Sequence, residues 1–199
     1  MAMRLAFTKN SPLNTTLVDE TSGVVMYEIE TEKSFMSKTT IIRKPFTNRR
    51  GQLVPQTSTE VARILWKTWS SDRIVYYGCD MKRGDFMPKA GMFSNGFVIT
   101  VNGTKYRWST GFSGQGLPKL VTNNRKKKLI AELHKAHRLF RRSKAYLEIA
   151  PAGLTMLDQI VVSFVYVESK RRERKQDSGD GGDDGDGDDG GGGDGGGGA

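Results

Sequence analysis

The sequence predicts a mainly β chain: a closed or nearly closed antiparallel β-barrel around one hydrophobic C-terminal α-helix, followed by a disordered Gly/Asp tail. Three observations carry this expectation. Many short runs rich in β-branched and aromatic residues are separated by turn formers, as in a chain of antiparallel strands. One apolar stretch, Gln159 to Val167, holds no charge. From Asp177 to Ala199 the chain is almost only Gly and Asp, with no apolar side chains to offset the entropy of ordering.

The strongest local signal is "FVITVNGTKYRWST". Phe97, Ile99 and Val101 alternate with polar neighbours, Tyr106 and Trp108 continue one face on the return, and Asn102-Gly103 supplies the positive φ angles of a type I′ turn. Weaker strand signals are "MRLAF" (3–7), "GVVMYEIET" (23–31), "TTIIRK" (39–44), "EVARILWKTW" (60–69), "RIVYYG" (73–78), "KLVT" (119–122) and "AYLEIA" (145–150). In the fourth of these, Ala62, Ile64 and Trp66 alternate with Arg63 and Lys67, which fits a half-buried strand better than a helical stripe. The segment 126–142 has helical spacing at Leu129, Leu133, Ala136 and Phe140, but its neighbours favour a strand over Leu129–His134 followed by a basic loop. The expected organisation is one domain over 1–176, with its helix at about 155–175, and a tail over 177–199.

The stretch "LTMLDQIVVSFVYVESKRRERK" (154–175) joins the most apolar segment to a basic one. A membrane-spanning helix needs roughly 20 apolar residues. Here Asp158 and Glu168 close the uncharged run well short of that, so a buried core element is expected. As a strand, "IVVSFVYV" would be buried on both faces. As a helix, it would begin with Thr155 and Asp158 in capping-box spacing and end with Lys170 to Lys175 against the negative end of the helix dipole. On pattern alone the two stay level, and a helix apolar all round must be surrounded by protein.

The segments "SPLNTTLVDETSG", "TTIIRK" and "PAGLTMLDQIVVSFVYVESKRR" resemble, in the same order, recurring segments of an uncharacterised family of small basidiomycete fungal proteins, over about residues 3–175. That family has no established activity and lends no catalytic residues. The layout of many short strands ending in an apolar helix also resembles the tubby C-terminal fold, shared with LURP-one-related proteins and phospholipid scramblases. This resemblance implies a closed barrel around a buried helix, while the Thr155/Asp158 spacing with the fungal-family resemblance tilts the apolar segment toward helix. Any function drawn from it is analogy.

All 31 Lys and Arg lie in residues 1–176, whereas eight of the 22 acidic residues are Asp in the tail, so the +9 of the whole chain becomes about +17 for the body. Such a charge predicts attraction to a polyanion: an anionic membrane surface, an acidic protein or, less favoured, nucleic acid. Nucleic-acid binding usually adds stacking aromatics to the basic stretches, and these hold little beyond Phe46 and Phe140, while the tryptophans sit in strand-like runs expected to pack the core. The N-terminus lacks a secretory apolar core and Cys79 is the only cysteine, which predicts an intracellular, cytoplasmic protein that touches membranes only peripherally.

The expected anion or headgroup contacts are Arg43, Lys44, Arg49 and Arg50, then Arg125, Lys126, Lys127 and Lys128, then Arg141, Arg142 and Lys144. Arg138 and the run Lys170 to Lys175 extend the same pattern. No catalytic constellation, cofactor or metal site is expected. His134 and His137 lack further ligands. Cys79 reads as a small buried thiol, and "GFSGQG" (111–116) as a flexible loop rather than a phosphate cradle. The eight tail Asp are placed to compete with polyanions for the basic clusters. The sequence thus predicts a non-enzymatic binding module, with a nucleic-acid-associated protein as the alternative.

Overall fold

A computed structural model describes residues 1–35, 37–47, 53–91, 94–111, 113–135 and 144–178. In chain order its strands are β1 (Met3–Phe7), β2 (Thr15–Asp19), β3 (Val25–Lys33), β4 (Lys38–Thr47), β5 (Leu53–Trp66), β6 (Arg73–Tyr76) and β7 (Cys79–Lys82). A single-turn helix α1 (Arg83–Phe86) precedes β8 (Phe97–Val101), β9 (Thr104–Ser109), β10 (Lys119–Thr122), β11 (Leu129–His134) and β12 (Tyr146–Ile149). A 3-10 turn, Pro151–Met156, then leads into the long helix α2, Leu157–Asp177.

All twelve strands form one antiparallel sheet in the order β7-β6-β5-β4-β3-β2-β1-β12-β11-β10-β9-β8, with β1 and β12 joining the chain ends at its centre. The expected hairpin is present: Asn102 and Gly103 have φ of 49° and 75°, and Phe97 pairs with Trp108 and Ile99 with Tyr106. Ala62, Ile64 and Trp66 are buried while Arg63 is exposed, as their alternation predicts. Residues 129–134 are a strand; the basic loop expected after them lies outside the described residues.

The apolar segment is a helix because the sheet curls around it. Every residue from Ile160 to Ser169 is buried. Phe164 meets Phe7 of β1 and Trp108 of β9, and Tyr166 stacks on Trp66 of β5 and meets Phe97 of β8 edge-on. Strands from both halves of the sheet therefore touch one helix, so a sequence apolar on all sides has an apolar neighbour on all sides. The two buried indole N–H groups are matched. Trp108 Nε1 donates to Ser163 Oγ at 2.8 Å, Ser163 Oγ donates to the Gln159 carbonyl, and Trp66 Nε1 donates to Thr40 Oγ1. Gly153 lets the 3-10 turn sit close, since a Cβ there would lie 2.9–3.1 Å from side-chain carbons of Ile149, Ile160 and Ile130.

Four expectations need correction. The sheet is not closed into a barrel: β7 and β8 are its two edges and do not pair. The chain between them blocks closure. Pro88 carbonyl accepts from Val98 N–H, Gly96 carbonyl accepts from Ala90 N–H, and Lys89 bridges Phe97, so the outer edge of β8 is already occupied. Second, the helix has no capping box; Met156 sits at the N-cap without a side-chain bond, and Thr155 belongs to the 3-10 turn. Third, Cys79 is exposed because β7 is an edge strand whose other residues are also exposed or half-buried. Fourth, only two tryptophans pack the core; Trp69 lies beyond the end of β5 and is 98% exposed.

Phe164 is fully buried against both halves of the sheet. Phe164→Ala should cost about 3–5 kcal/mol of unfolding free energy, read as a lowered denaturant midpoint at unchanged slope.

Candidate anion-binding site

The connection from β12 places the start of α2 at one end of the sheet, where β4 and β10 finish and β11 begins. The helix then runs to the opposite end, where β4 begins and β5 finishes. Each end is tied to the strands by charge.

At the first end Asp158 is a hub. Lys44 Nζ lies 2.5 Å from its Oδ1, Tyr27 O–H donates to the same oxygen, and Tyr77 O–H donates to Oδ2 at 2.6 Å. Burial pushes the carboxyl up, but hydrogen bonds from Lys44, Tyr27 and Tyr77 outweigh it and hold Asp158 below its ordinary value. Burial also raises the three nearby tyrosines, with the Asp158 charge acting in the same direction; Tyr76 is pushed up to about 12. A carboxylate in the first helical turn is further stabilised by the helix dipole. Both oxygens are engaged, so this group works as a clasp between helix and sheet.

At the far end Glu168, buried in the helix, takes Arg171 in a two-point contact at 2.7 and 2.9 Å and Arg172 at 2.8 Å. The two arginines reach on to carbonyls of Gln115 and Asn10, tying two loops to the helix. Nearby, Asp72 accepts from Tyr166 O–H and from Lys67 N–H, both at 2.8 Å.

The open seam between β7 and β8 lies against this far end and holds a pocket of about 220 Å³. Arg83, Lys89, Lys170 and Arg174 line it with Ser94, Asn95, Phe97 and Tyr166. No carboxylate is among those described lining residues. Each cation is placed by the fold. Arg83, in α1, donates to Met87 carbonyl and lies 5.6 Å over the Phe97 ring. Lys89 follows Pro88 along the edge of β8. Lys170 bonds Glu173 at 2.8 Å and sits 5.2 Å over Trp66. Arg174 Nε donates to Lys170 carbonyl, and burial lowers its guanidinium below the ordinary value. The "GFSGQG" loop backs the site: Gly114 has φ of 76°, and a Cβ there would lie 2.9 Å from Arg174 Nη1. Such a pocket can take an anion bearing several oxygens.

Among the described residues, those expected from sequence do not form one patch. Lys44 is held by Asp158, and Arg43 pairs with Glu30 at 3.2 Å. Arg125, Lys126, Lys127 and Lys128 form an exposed turn, folded by the Asn124 side chain, which accepts from the Lys126 and Lys127 amides. That turn joins the end of β11 opposite to the one near Lys144, since His134 pairs with Tyr146. Arg49, Arg50, Arg138, Arg141, Arg142 and His137 lie outside the described residues. His134 stacks on Tyr146 and lies 3.4 Å from Glu148. Sequence reasoning included Lys170 and Arg174 in a basic run but missed Arg83, which has only Lys82 beside it, and Lys89, which has no cation beside it in the chain. Among the described residues, no group of three or more His, Cys, Asp or Glu could hold a metal ion.

A family model described as a family of unknown function, DUF6593, matches residues 10–173. The chain belongs to the DUF6593 family. The match runs from before β2 to within the last turns of α2, so most of the sheet, the Asp158 clasp and three of the four pocket cations lie inside it. No curated protein and no solved structure matches the chain.

The Asp158 clasp predicts an acid-sensitive fold. Asp158 has a depressed folded value, so its contribution is complete above the unfolded value of about 3.9 and fades as pH falls through the folded one. Asp158→Asn should lower stability at neutral pH by about 1.5–3 kcal/mol and flatten the loss below about pH 4, measured by urea melts across pH.

Proposed function

We propose that the protein is a non-enzymatic binding module that takes the phosphate groups of anionic lipid headgroups into the seam pocket. The observation that carries this reading is four cations around one pocket with no carboxylate lining it among the described residues. Phosphate suits the set, because guanidinium groups offer paired donors and Lys89 adds a point charge, while Lys170, also in the lining, is bridged to Glu173 and Asp72. The likeness to the tubby layout, in which antiparallel strands enclose an apolar helix, supports a phosphoinositide-like ligand by analogy. The resemblance to small basidiomycete fungal proteins belongs to the same proposal. Among the described residues no helix is long and apolar enough to cross a membrane, so contact with a bilayer would be made from its surface.

The tail gives this reading a regulator. Seven Asp follow Ser178, and α2 carries the chain out at the pocket end, four residues beyond Arg174. A chain of this length reaches roughly 25–30 Å if it behaves as a flexible coil. The tail can then compete with phosphates for the same cations.

The test is titration of the full chain with a soluble inositol phosphate. Lys89→Gln combined with Arg83→Gln should weaken binding at least about tenfold, and rising salt should weaken it further. Unchanged affinity would overturn the pocket assignment, and preference for an acidic peptide or for nucleic acid in the same titration would overturn the headgroup reading. Removing residues 179–199 should strengthen binding at low salt and have little effect at high salt; no change at low salt rules out tail competition.

A further inference from the structure

We infer that the loops at the pocket end of the molecule insert aromatic side chains into an anionic bilayer, so that the protein docks with this end against the membrane. The inference rests on the headgroup reading above and adds the surface and the orientation.

Among the described residues three large apolar side chains are almost wholly exposed: Met1, Phe35 at 100% and Trp69 at 98%. Single exposed hydrophobics are ordinary. Phe35 and Trp69 sit on neighbouring loops. Lys33 and Lys38 close the β3–β4 hairpin, and Lys38 pairs in turn with Trp66, the last residue of β5. Phe35 is therefore three residues before that register pair and Trp69 three residues after it. At the opposite end Met1, which leads into β1, is also bare, while Phe46, Tyr77, Leu129 and Leu154 keep about half their surface covered, at 52%, 51%, 45% and 41% exposure.

The two loops are held at their bases and bare at their tips. Ser34 N–H donates to Ser37 carbonyl at 2.8 Å across the β3–β4 turn. Lys67 N–H donates to Asp72 Oδ1 at 2.8 Å, and Asp72 carbonyl accepts from Arg83 N–H, so one residue closes the β5–β6 loop and joins it to α1. Neither loop must fold further to present its aromatic side chain. Tryptophan, with an apolar body and a polar N–H, is the residue best suited to the headgroup level of a bilayer.

The charges at these loops suit anionic lipid. Lys33 and Lys38 flank Phe35, and Lys67 precedes Trp69 by two positions. Each lysine at such a surface multiplies attraction by about fivefold. The acids here are largely engaged. Asp72 is buried and accepts from Tyr166, while Glu173 contacts Lys170 at 2.8 Å and Lys38 at 3.9 Å; Glu32 is exposed one residue before Lys33. Lys38 and Lys170 both lie over the Trp66 ring, at 4.8 and 5.2 Å, so the base of the aromatic loops adjoins a lining residue of the pocket. A headgroup in the pocket and aromatic side chains at its level in the bilayer are compatible with one orientation.

Trp69 also supplies the probe. The other two tryptophans, Trp66 and Trp108, are buried, so aqueous iodide reports on Trp69. In the full chain, iodide should quench Trp69 without lipid, phosphatidylcholine–phosphatidylserine vesicles should protect it, and brominated acyl chains should quench it. Trp69→Ala and Phe35→Ala should each reduce vesicle partitioning about tenfold while leaving thermal stability and binding of soluble inositol phosphate unchanged. Unchanged partitioning, or continued iodide access in vesicle-bound protein, overturns insertion even if the pocket binds inositol phosphate. Protection of Trp69 that grows with protein concentration without vesicles also overturns it and assigns the loops to self-association. If inositol phosphate does not bind but Trp69 enters the vesicles, the pocket reading fails and insertion stands.

Discussion

The structure depends on enclosing one helix that has no polar face. Ile160 to Val167 can be stable in water only if protein covers them on every side. The sheet reaches twelve strands because fewer would leave part of that surface bare; its two halves meet the helix through Phe7 and Trp66 on one side and Phe97 and Trp108 on the other. Helix and sheet are thus one core. The packing aromatic side chains also decide where polar atoms are admitted, since Ser163 and Thr40 receive the two buried indole N–H groups.

The clasp and the pocket follow from how that enclosure ends. At the start of the helix it is sealed by Asp158, which joins β3, β4 and the β6–β7 turn through Tyr27, Lys44 and Tyr77. At the far end, the chain from α1 to β8 occupies the edge that closure would need, and the sheet stays open. The seam admits cations from α1, from the edge of β8 and from the last turns of α2 into one pocket. An imperfect enclosure is what leaves the pocket.

Much of the fold was legible because its signals are local. Asn102-Gly103 has one favoured backbone answer, and the β-branched runs that became β3, β4, β5 and β10 carry their own propensity. The strand at Leu129–His134 was recovered from its neighbours rather than its spacing. The strand β2, Thr15–Asp19, was missed although Thr15, Thr16 and Val18 carry a β-branched signal; the other misses are non-local or brief. Cys79–Lys82 has no β-branched residue, and only the β6 register makes it a strand. The helix start was misread because Asp158 finds stronger partners across the sheet than any local cap could offer. Runs of consecutive cations were easy to find, and the described ones are divided between the two ends of the sheet. The pocket joins Arg83 and Lys89 to residues some eighty positions later, which no run can reveal. Trp69 did carry a signal: Ala62, Ile64 and Trp66 share one parity, and position 69 breaks it.

The central claim, that α2 is the axis on which every strand depends, is open to native-state hydrogen exchange resolved by residue. The amides of Ile160 to Val167 should exchange only through global unfolding, with protection equal to the full unfolding free energy, while the edge strand β7 opens locally at far lower cost. Exchange of those helix amides well below the global free energy, while β1 and β12 remain protected, would mean that the sheet stands without its helix and would contradict the account.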